Sequence, residues 1–170
     1  MHSKRYRIID TTALLTWHIP FDKDAINVTT GSVLKEIKKD ELTKSIIDSY
    51  LETKRIVVMN PKEEYINKAY RLALETGDKI KMSDTDIEIV ALVLQLVDEG
   101  GDVEVITDDY SIQNILQRMN INILSYFRKI KNIYNWVLVC EKCGKKYPSD
   151  YDREYCEVCG GRIIRKRESL

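Results

Sequence analysis

Residues 103–124 decide the fold of this chain, and they read VEVITDDYSIQNILQRMNINIL. Val103 to Ile106 and Ile121 to Leu124 are short β-rich runs, and Tyr110 to Met119 between them has the pattern of a short helix. Strands that alternate with helices indicate a mostly parallel sheet with helices on both faces. We therefore expect an α/β fold.

The same alternation extends toward the N-terminus. Residues 7–15 form a short apolar run interrupted by Asp10, and residues 56–59 form another β-rich run. Between them, residues 32–54 read as helical with a break near Asp40. Two βα units in this order strengthen the α/β prediction.

Two further helices carry end signals. In the first, Asn60 is the expected N-cap, Pro61 the first helical residue and Gly77 the stop. In the second, Ser83-Asp84-Thr85-Asp86 is a capping signature, and the residues after it are apolar nearly all round. Such a helix is expected to be buried.

Length and composition limit the class of protein. The 170 residues, of which 44% are hydrophobic, predict one ordinary folded domain with a small appendage. No apolar run is long enough to cross a membrane, and residues 1–5 lead into a strand without a signal region. We expect a cytoplasmic protein with no membrane partner, in which structural disulfides are improbable. No phosphate-binding P-loop and no Gly-x-Gly-x-x-Gly motif is present, which disfavours P-loop nucleotide hydrolysis and dinucleotide redox chemistry.

The charges are divided unevenly along the chain. Residues 128–170 hold 11 basic and 6 acidic side chains, a net charge of +5, although the whole chain is neutral. The sequence pattern also changes in this segment, because the apolar periodicity of helices gives way to glycine, cysteine and charged residues. We predict a catalytic domain at 1–127, a basic connector at 128–135, a small ribbon at 136–165 and a tail at 166–170.

Four cysteines stand in the C-terminal segment as Cys140-x-x-Cys143-Gly and Cys156-x-x-Cys159-Gly. Two intervening residues let both thiolates of a knuckle reach one ion, and the glycine permits the tight turn that follows. A segment this short cannot bury enough apolar surface to fold alone, so it needs a bound metal or a covalent cross-link. We expect one structural zinc ion bound by four thiolates, with an iron site, and disulfides or free thiols, as the alternatives.

The ribbon is rich in basic side chains, with three tyrosines between them, and this composition is typical of a nucleic-acid-binding surface. A ribbon that contacts only protein is the alternative. The candidate RNA-binding residues are Lys142, Lys145, Lys146, Arg162, Arg165, Lys166 and Arg167.

Acidic residues stand at the ends of several predicted elements. Asp10 interrupts an apolar strand, where a lone carboxylate is costly unless it is paired, protonated or bound to metal. Capping of the next helix is the alternative explanation for Asp10, and acids at helix N-termini are common. The other acids are Glu36, Asp84, Asp86, Asp108 and Asp109, which together place carboxylates on one edge of the sheet. Their mutual repulsion favours a site for divalent metal.

These motifs resemble the acidic motifs of PIN-domain ribonucleases. Ile-Ile-Asp10-Thr-Thr, Val-Leu-Lys-Glu36-Ile, Met-Ser-Asp-Thr-Asp86 and Thr107-Asp-Asp109-Tyr-Ser-Ile-Gln-Asn occur in the expected order. With the four-cysteine ribbon, they are similar to the subfamily of endonucleases that mature the 3′ end of small-subunit ribosomal RNA.

The resemblance implies a metal-dependent endonuclease that cuts single-stranded RNA. Asp10, Glu36, Asp86 and Asp109 would hold Mg²⁺ or Mn²⁺, with Asp84 and Asp108 as adjacent alternatives and Thr11 and Thr107 in supporting positions. The implied partners are precursor small-subunit rRNA and the precursor of the small ribosomal subunit. Two other functions remain open, a toxin-type PIN ribonuclease and a catalytically silent RNA- or ribosome-binding adaptor.

Overall fold

The computed structural model describes residues 3–16, 19, 21–37, 41–127 and 129–168. Its larger sheet is formed by β1 (Arg5–Ile9), β2 (Ile26–Thr29), β3 (Val57–Val58), β4 (Asp102–Ile106) and β5 (Asn122–Leu124). The strand order is β3-β2-β1-β4-β5, and every neighbouring pair is parallel. The predicted parallel sheet is confirmed.

Helices occupy the connections between these strands. They are α1 (Thr11–Leu15), α2 (Gly31–Ile37), α3 (Glu41–Glu52), α4 (Glu63–Thr76), α5 (Asp84–Asp98) and α6 (Tyr110–Arg118), with a 3₁₀ turn at Asp78–Ile80. In the central strand β1, Ile8 and Ile9 are both 0% exposed, although successive side chains of a strand point to opposite faces. The sheet is therefore covered on both sides, as an α/β fold requires.

The most buried helix is α5. Ser83 caps it in a capping box with Asp86, each side chain bonding the other residue's backbone N–H. Ile89, Leu92 and Leu96 on α5 are fully buried, which confirms the burial expected from its apolar sequence. The helix that precedes it, α4, stops at Gly77, whose φ of 73° is the left-handed conformation typical of a C-cap.

One strand was missed and one local prediction was wrong. The strand β2 was not predicted, because its four residues Ile26–Thr29 include a polar Asn27 and give little pattern. The start of α4 was predicted too early, since Lys62 rather than Asn60 is its N-cap. The Asn60 side chain instead accepts a hydrogen bond from the backbone N–H of Gly31 at 2.8 Å, so it serves α2. The break predicted near Asp40 lies outside the described residues.

The C-terminal segment forms a second, antiparallel sheet. Its strands are β6 (Asn135–Cys140), β7 (Lys146–Tyr147) and β8 (Ile163–Glu168), in the order β7-β6-β8. Because Glu168 pairs with Asn135, residues 166–168 belong to the ribbon sheet and not to the tail predicted there. The small core of the ribbon includes Leu138 and Tyr147 and is separate from the main core.

No helix in the described part of the chain combines the length and the apolar character needed to cross a membrane.

Candidate active site and metal centre

Asp10 follows β1 directly and is the N-cap of α1. Its Oδ1 accepts from the backbone N–H of Thr11 at 2.6 Å, and its residue is only 3% exposed. The predicted position inside the strand is therefore wrong by one residue, since β1 ends at Ile9. Asp10 therefore both caps a helix and is buried. Capping explains its bond to the Thr11 N–H, but it does not explain why a negative charge is buried at this position.

Two threonines connect the acids. The hydroxyl of Thr107, directly after β4, donates to Asp10 Oδ2 at 2.7 Å and accepts from the backbone N–H of Asp109 at 3.0 Å. The hydroxyl of Thr11 donates to Glu36 Oε2 on α2 at 2.6 Å. Thr107 thus links the Asp10 carboxylate to the backbone of Asp109, and Thr11 links Asp10, through its backbone N–H, to the Glu36 carboxylate, through its hydroxyl.

The charges of the acids act on one another. Burial raises the pKa of Asp10 from its ordinary 3.8 to about 6, and the negative charges of Asp86 and Asp109 add to that rise. Burial likewise raises the pKa of Asp86, which is further raised by Asp109 and Glu36. These four carboxylates therefore share one electrostatic site at the carboxyl ends of the strands, where parallel sheets commonly place sites.

The adjacent acids point elsewhere. The Asp84 side chain is fully exposed, and its Oδ1 lies 3.9 Å from the ammonium of Lys79. Asp108 Oδ1 accepts from the backbone N–H of Phe127 at 2.9 Å, which ties down the loop after β5. By contrast, Asp109 caps α6 by accepting from the N–H groups of Ser111 and Ile112.

One further acid contacts α2, the helix that carries Glu36, and was not singled out from the sequence. Glu88 Oε2 on α5 accepts from the hydroxyl of Ser32 at 2.5 Å, one helical turn before Glu36 on α2. The sequence could have pointed to Glu88, because acids occupy every second position at the start of α5, at Asp84, Asp86 and Glu88.

The donor set of the acid site suits a hard divalent cation. Carboxylate oxygens are the ligands that Mg²⁺ and Mn²⁺ prefer, and a cation would relieve the repulsion that raises the Asp10 pKa. The capping bonds of Asp10, Asp86 and Asp109 hold each side chain in place but leave further oxygen lone pairs for a ligand. The residue types present therefore suit a metal of this class, although no three of these described carboxylates bring oxygen atoms within 4.8 Å of one another.

The four cysteines form a second site. Cys140, Cys143, Cys156 and Cys159 bring their sulfur atoms within 4.8 Å of one another, the only such group of metal-ligating side chains among the described residues. Two of the sulfur pairs are 3.4 and 3.6 Å apart, close to the ~3.8 Å expected around a tetrahedral zinc with ~2.3 Å bonds. The cluster fits a closed zinc ribbon.

Glycines let the ribbon backbone approach these sulfurs. Gly144 and Gly160, directly after the two knuckles, have φ values of 73° and 66°, as the sequence pattern predicts. A side chain at Gly161 would place its Cβ 2.8 Å from Cys140 Sγ, too close for any other residue. The hydroxyl of Tyr147 donates to Cys156 Sγ at 3.0 Å and lowers the pKa of that thiol to about 6, which favours the thiolate that metal binding needs.

The candidate RNA-binding side chains fall into two groups. Lys145, Lys146 and Arg165 are ion-paired within the chain, to Glu157, Glu168 and Asp78 respectively. The others have no carboxylate partner within 4.0 Å among the described residues, and they are Lys142, Arg162, Lys166 and Arg167.

Comparison with known proteins identifies relatives across the chain. A family model described as the PIN domain of ribonuclease matches residues 8–96, which include Asp10, Glu36 and Asp86. The Endoribonuclease Nob1 of Methanothermobacter thermautotrophicus is 36% identical over 162 residues, which cover 95% of this chain and 92% of the relative. The Ribonuclease VapC1 of Thermoplasma acidophilum is 32% identical over 167 residues, which cover 96% of this chain and 80% of that protein.

A eukaryotic relative matches a shorter part. The 20S-pre-rRNA D-site endonuclease NOB1 of Saccharomyces cerevisiae is 35% identical over 65 residues, which cover 35% of this chain and 14% of the yeast protein. The family model spans more than half of the chain, and the first archaeal relative is aligned over nearly all of it. Together with the parallel sheet and the acids at its carboxyl edge, these matches establish that the chain belongs to the PIN-domain ribonuclease family.

Proposed function

We propose that this protein is a metal-dependent endoribonuclease that cleaves single-stranded RNA and matures the 3′ end of precursor small-subunit ribosomal RNA. The observation that carries the proposal is the buried carboxylate of Asp10, joined at one sheet edge by Glu36, Asp86 and Asp109. The names of the archaeal and yeast relatives, both endonucleases, support the reaction class, and the yeast name supports the rRNA substrate. The precursor of the small ribosomal subunit and a cytoplasmic location follow as part of the proposal.

In this proposal Asp10, Glu36, Asp86 and Asp109 hold Mg²⁺ or Mn²⁺. A bound divalent cation lowers the pKa of a coordinated water and stabilises charge on phosphate oxygens. Thr107 orients Asp10 through its hydroxyl, and Thr11 orients Glu36. The solvent-directed Asp84 and the loop-bound Asp108 are left out of the ligand set.

The ribbon holds one structural zinc ion through its four cysteines and supplies RNA affinity. An acidic site repels a phosphate chain, so attraction has to come from cations elsewhere on the protein. We assign this role first to the four unpaired cations of the ribbon and second to Lys145 and Lys146, whose exposed ion pairs are weak.

The decisive experiment uses the purified protein, precursor small-subunit RNA and Mn²⁺ or Mg²⁺, followed by mapping of the new 3′ end. We expect one discrete cut in the wild type and none with Asp10→Asn, because Asn keeps the cap but loses the charge. Asp84→Asn is the matched control and should cut normally. An Asp10→Asn protein that stays folded and cuts at the wild-type rate would exclude Asp10 from the site.

A toxin-type ribonuclease is the second candidate, because the relative named VapC1 aligns with 96% of this chain. The same assay separates the two functions. Cleavage of transfer or messenger RNA in preference to the precursor rRNA would favour the toxin type, whereas a silent adaptor would cut neither.

Ribbon affinity is tested by Lys142→Ala/Lys166→Ala, with Lys23→Ala/Lys44→Ala as a control pair of the same charge outside the ribbon. We expect weaker binding of single-stranded RNA and a smaller salt dependence only for the ribbon pair, since each lost phosphate contact removes about 0.7 from the slope. Equal slopes for both pairs would assign the ribbon to a protein partner instead.

A further inference from the structure

A cavity of about 450 Å³ lies between the catalytic domain and the ribbon, and we call it the junction cleft. Its size falls within the ~300–1,000 Å³ typical of small-ligand sites. One wall comes from the start of α6, and the other comes from the connector and the ribbon strands. The lining residues that matter here are Tyr110, Lys129, Lys131, Tyr134, Trp136 and Arg167.

The cleft adjoins the acid site. Tyr110 and Ser111 line it, and they follow Asp109 directly in the chain. The backbone N–H of Ser111 donates to Asp109 Oδ1 at 2.7 Å, so the cleft wall and the acid are parts of one helix cap. A strand of RNA whose phosphate lies at the acids would pass this opening.

The cleft is held in shape by polar contacts between the two domains. Asn114 on α6 donates through Nδ2 to Asp78 Oδ2 at 2.6 Å and to the carbonyl of Tyr134 at 2.8 Å, and its Oδ1 accepts from the Tyr134 N–H. Arg165 on β8 reaches the same Asp78 at 3.4 Å. We call Asp78, Asn114, Tyr134 and Arg165 the clasp. Because its central members Asp78 and Asn114 are almost fully buried, the cleft needs little ordering before it binds.

The charge of the cleft favours an anion. Four of its lining side chains are cationic, and its one acid, Asp78, already pairs with Arg165. Lys129 and Lys131 are exposed and have no carboxylate within ion-pair distance among the described residues. The cleft is therefore electropositive beside an acidic site, which would attract a phosphate to its rim.

The aromatic side chains of the cleft favour a nucleobase over an acidic peptide. Arg165 stacks over Trp136 at 4.0 Å and Arg167 over Tyr134 at 4.3 Å, which builds a flat, cationic wall. On the α6 side of the cleft, the Tyr110 side chain is 49% exposed. Exposed aromatic rings combined with cations form stacking platforms for unpaired bases.

We propose that the junction cleft binds one nucleotide of the RNA strand near the scissile phosphate, with its base stacked on Tyr110 and its phosphate held by Lys129 and Lys131. This subsite deepens the proposed function and rests on it for the identity of the strand. It explains why a ribbon with a closed metal site is held against α6: the ribbon completes a binding surface that neither domain has alone.

Binding is measured by fluorescence anisotropy of a short labelled single-stranded RNA with the zinc-loaded full chain in the Asp10→Asn background. We expect Tyr110→Ala to weaken binding about tenfold and Tyr70→Ala, a similarly exposed tyrosine away from the cleft, to leave it unchanged. Lys129→Ala/Lys131→Ala should reduce the salt slope by about 1.4, whereas Lys23→Ala/Lys44→Ala should not change it.

An abasic-site scan along the RNA locates the base. One abasic position should weaken binding to the wild-type cleft and have no added effect on Tyr110→Ala, and this position should lie near the mapped cut. Unchanged binding for both cleft variants would overturn the subsite, as would equal binding of an acidic peptide with the same variant losses. Failure of the proposed function is read separately, as absence of cleavage by the wild-type chain, whatever the cleft binds.

Discussion

Asp10 is the residue on which we expect both stability and activity to depend. Its pKa of about 6 lies above the ordinary 3.8, so the folded protein binds this proton more tightly than the unfolded chain does between those two pH values. Without a divalent cation, Asp10 therefore lowers stability as pH rises through this window, and its full cost remains above pH ~6.

We predict that Asp10→Asn raises the free energy of unfolding at pH 7 by about 1–3 kcal/mol in buffer free of Mg²⁺ and Mn²⁺. At pH ~4, where the wild-type carboxyl is protonated in the folded state, the two proteins should be nearly equal. Urea unfolding at both pH values measures the difference. Asp84→Asn is the control for loss of one exposed charge. A destabilised Asp10→Asn protein at pH 7 would show that the carboxylate is satisfied by its hydrogen bonds alone.

At the residue scale the sequence pointed to Asp10, and the resemblance to PIN-domain ribonucleases named Thr107 as a supporting residue, but neither predicted the hydrogen bond between them. An acid beside an apolar run is conspicuous in sequence, so the charge problem could be predicted locally. The Thr107 hydroxyl that bonds Asp10 is 97 positions away, and only the pairing of β1 with β4 brings them together. The Asn114 contacts depend on the ribbon in the same way, and no local pattern specifies such partners.

At the scale of elements, strong signals gave correct predictions and weak signals failed. The apolar surface of α5 is visible in sequence because it repeats over many residues, and the capping box is visible because it lies within four consecutive residues. Strand β2 has four residues, and the chain after β3 begins α4 two residues later than its proline suggests. At the start of α4 a tertiary contact replaced the local preference, because the Asn60 side chain accepts from the backbone N–H of Gly31 instead of capping α4.

We predict that Ser83→Ala lowers the free energy of unfolding by about 1 kcal/mol, because it removes the side-chain acceptor for the Asp86 N–H at the start of α5. It should also reduce cleavage, because the backbone N–H of residue 83 still donates to Asp86 Oδ2 but is no longer held in place by the reciprocal bond to the hydroxyl. Ser83→Thr keeps the hydroxyl and should restore both quantities. Chemical denaturation and the RNA cleavage rate are the two measurements, and loss of stability with a wild-type rate would separate the cap from the site.

At the scale of the whole molecule, several polar contacts join the two cores, and they include the clasp, a bond from Arg118 to Asn135 and a bond from Ser149 to the Leu74 carbonyl. The main core and the ribbon core share no residue, and the buried contacts between Asp78, Asn114 and Arg165 connect the two domains. The division into a catalytic domain, a basic connector and a ribbon stays a prediction. Its boundaries would be tested by whether each segment folds when it is made alone.

Removal of the ribbon metal should unfold residues 135–168 and leave the catalytic domain folded. The ribbon core is too small to persist without its staple, whereas the main core includes fully buried side chains from β1, β4, α5 and α6. Hydrogen exchange with and without a zinc chelator should show rapid exchange in β6 and β8 and continued protection in α5. Added zinc should reverse the change. Equal loss of protection in α5 would mean that the two cores unfold as one unit.

The strand order has a consequence for synthesis of the chain on the ribosome. One edge of β1 pairs early with β2, but Ile8 meets Val105 on the other edge only after 97 more residues have been made. At ~5–20 residues per second, the apolar edge of β1 waits for ~5–20 s before β4 can cover it. Limited proteolysis of stalled nascent chains should show β1 protected only once β4 has emerged. Until then the chain carries an open strand edge, the kind of surface that recruits chaperones or another nascent copy.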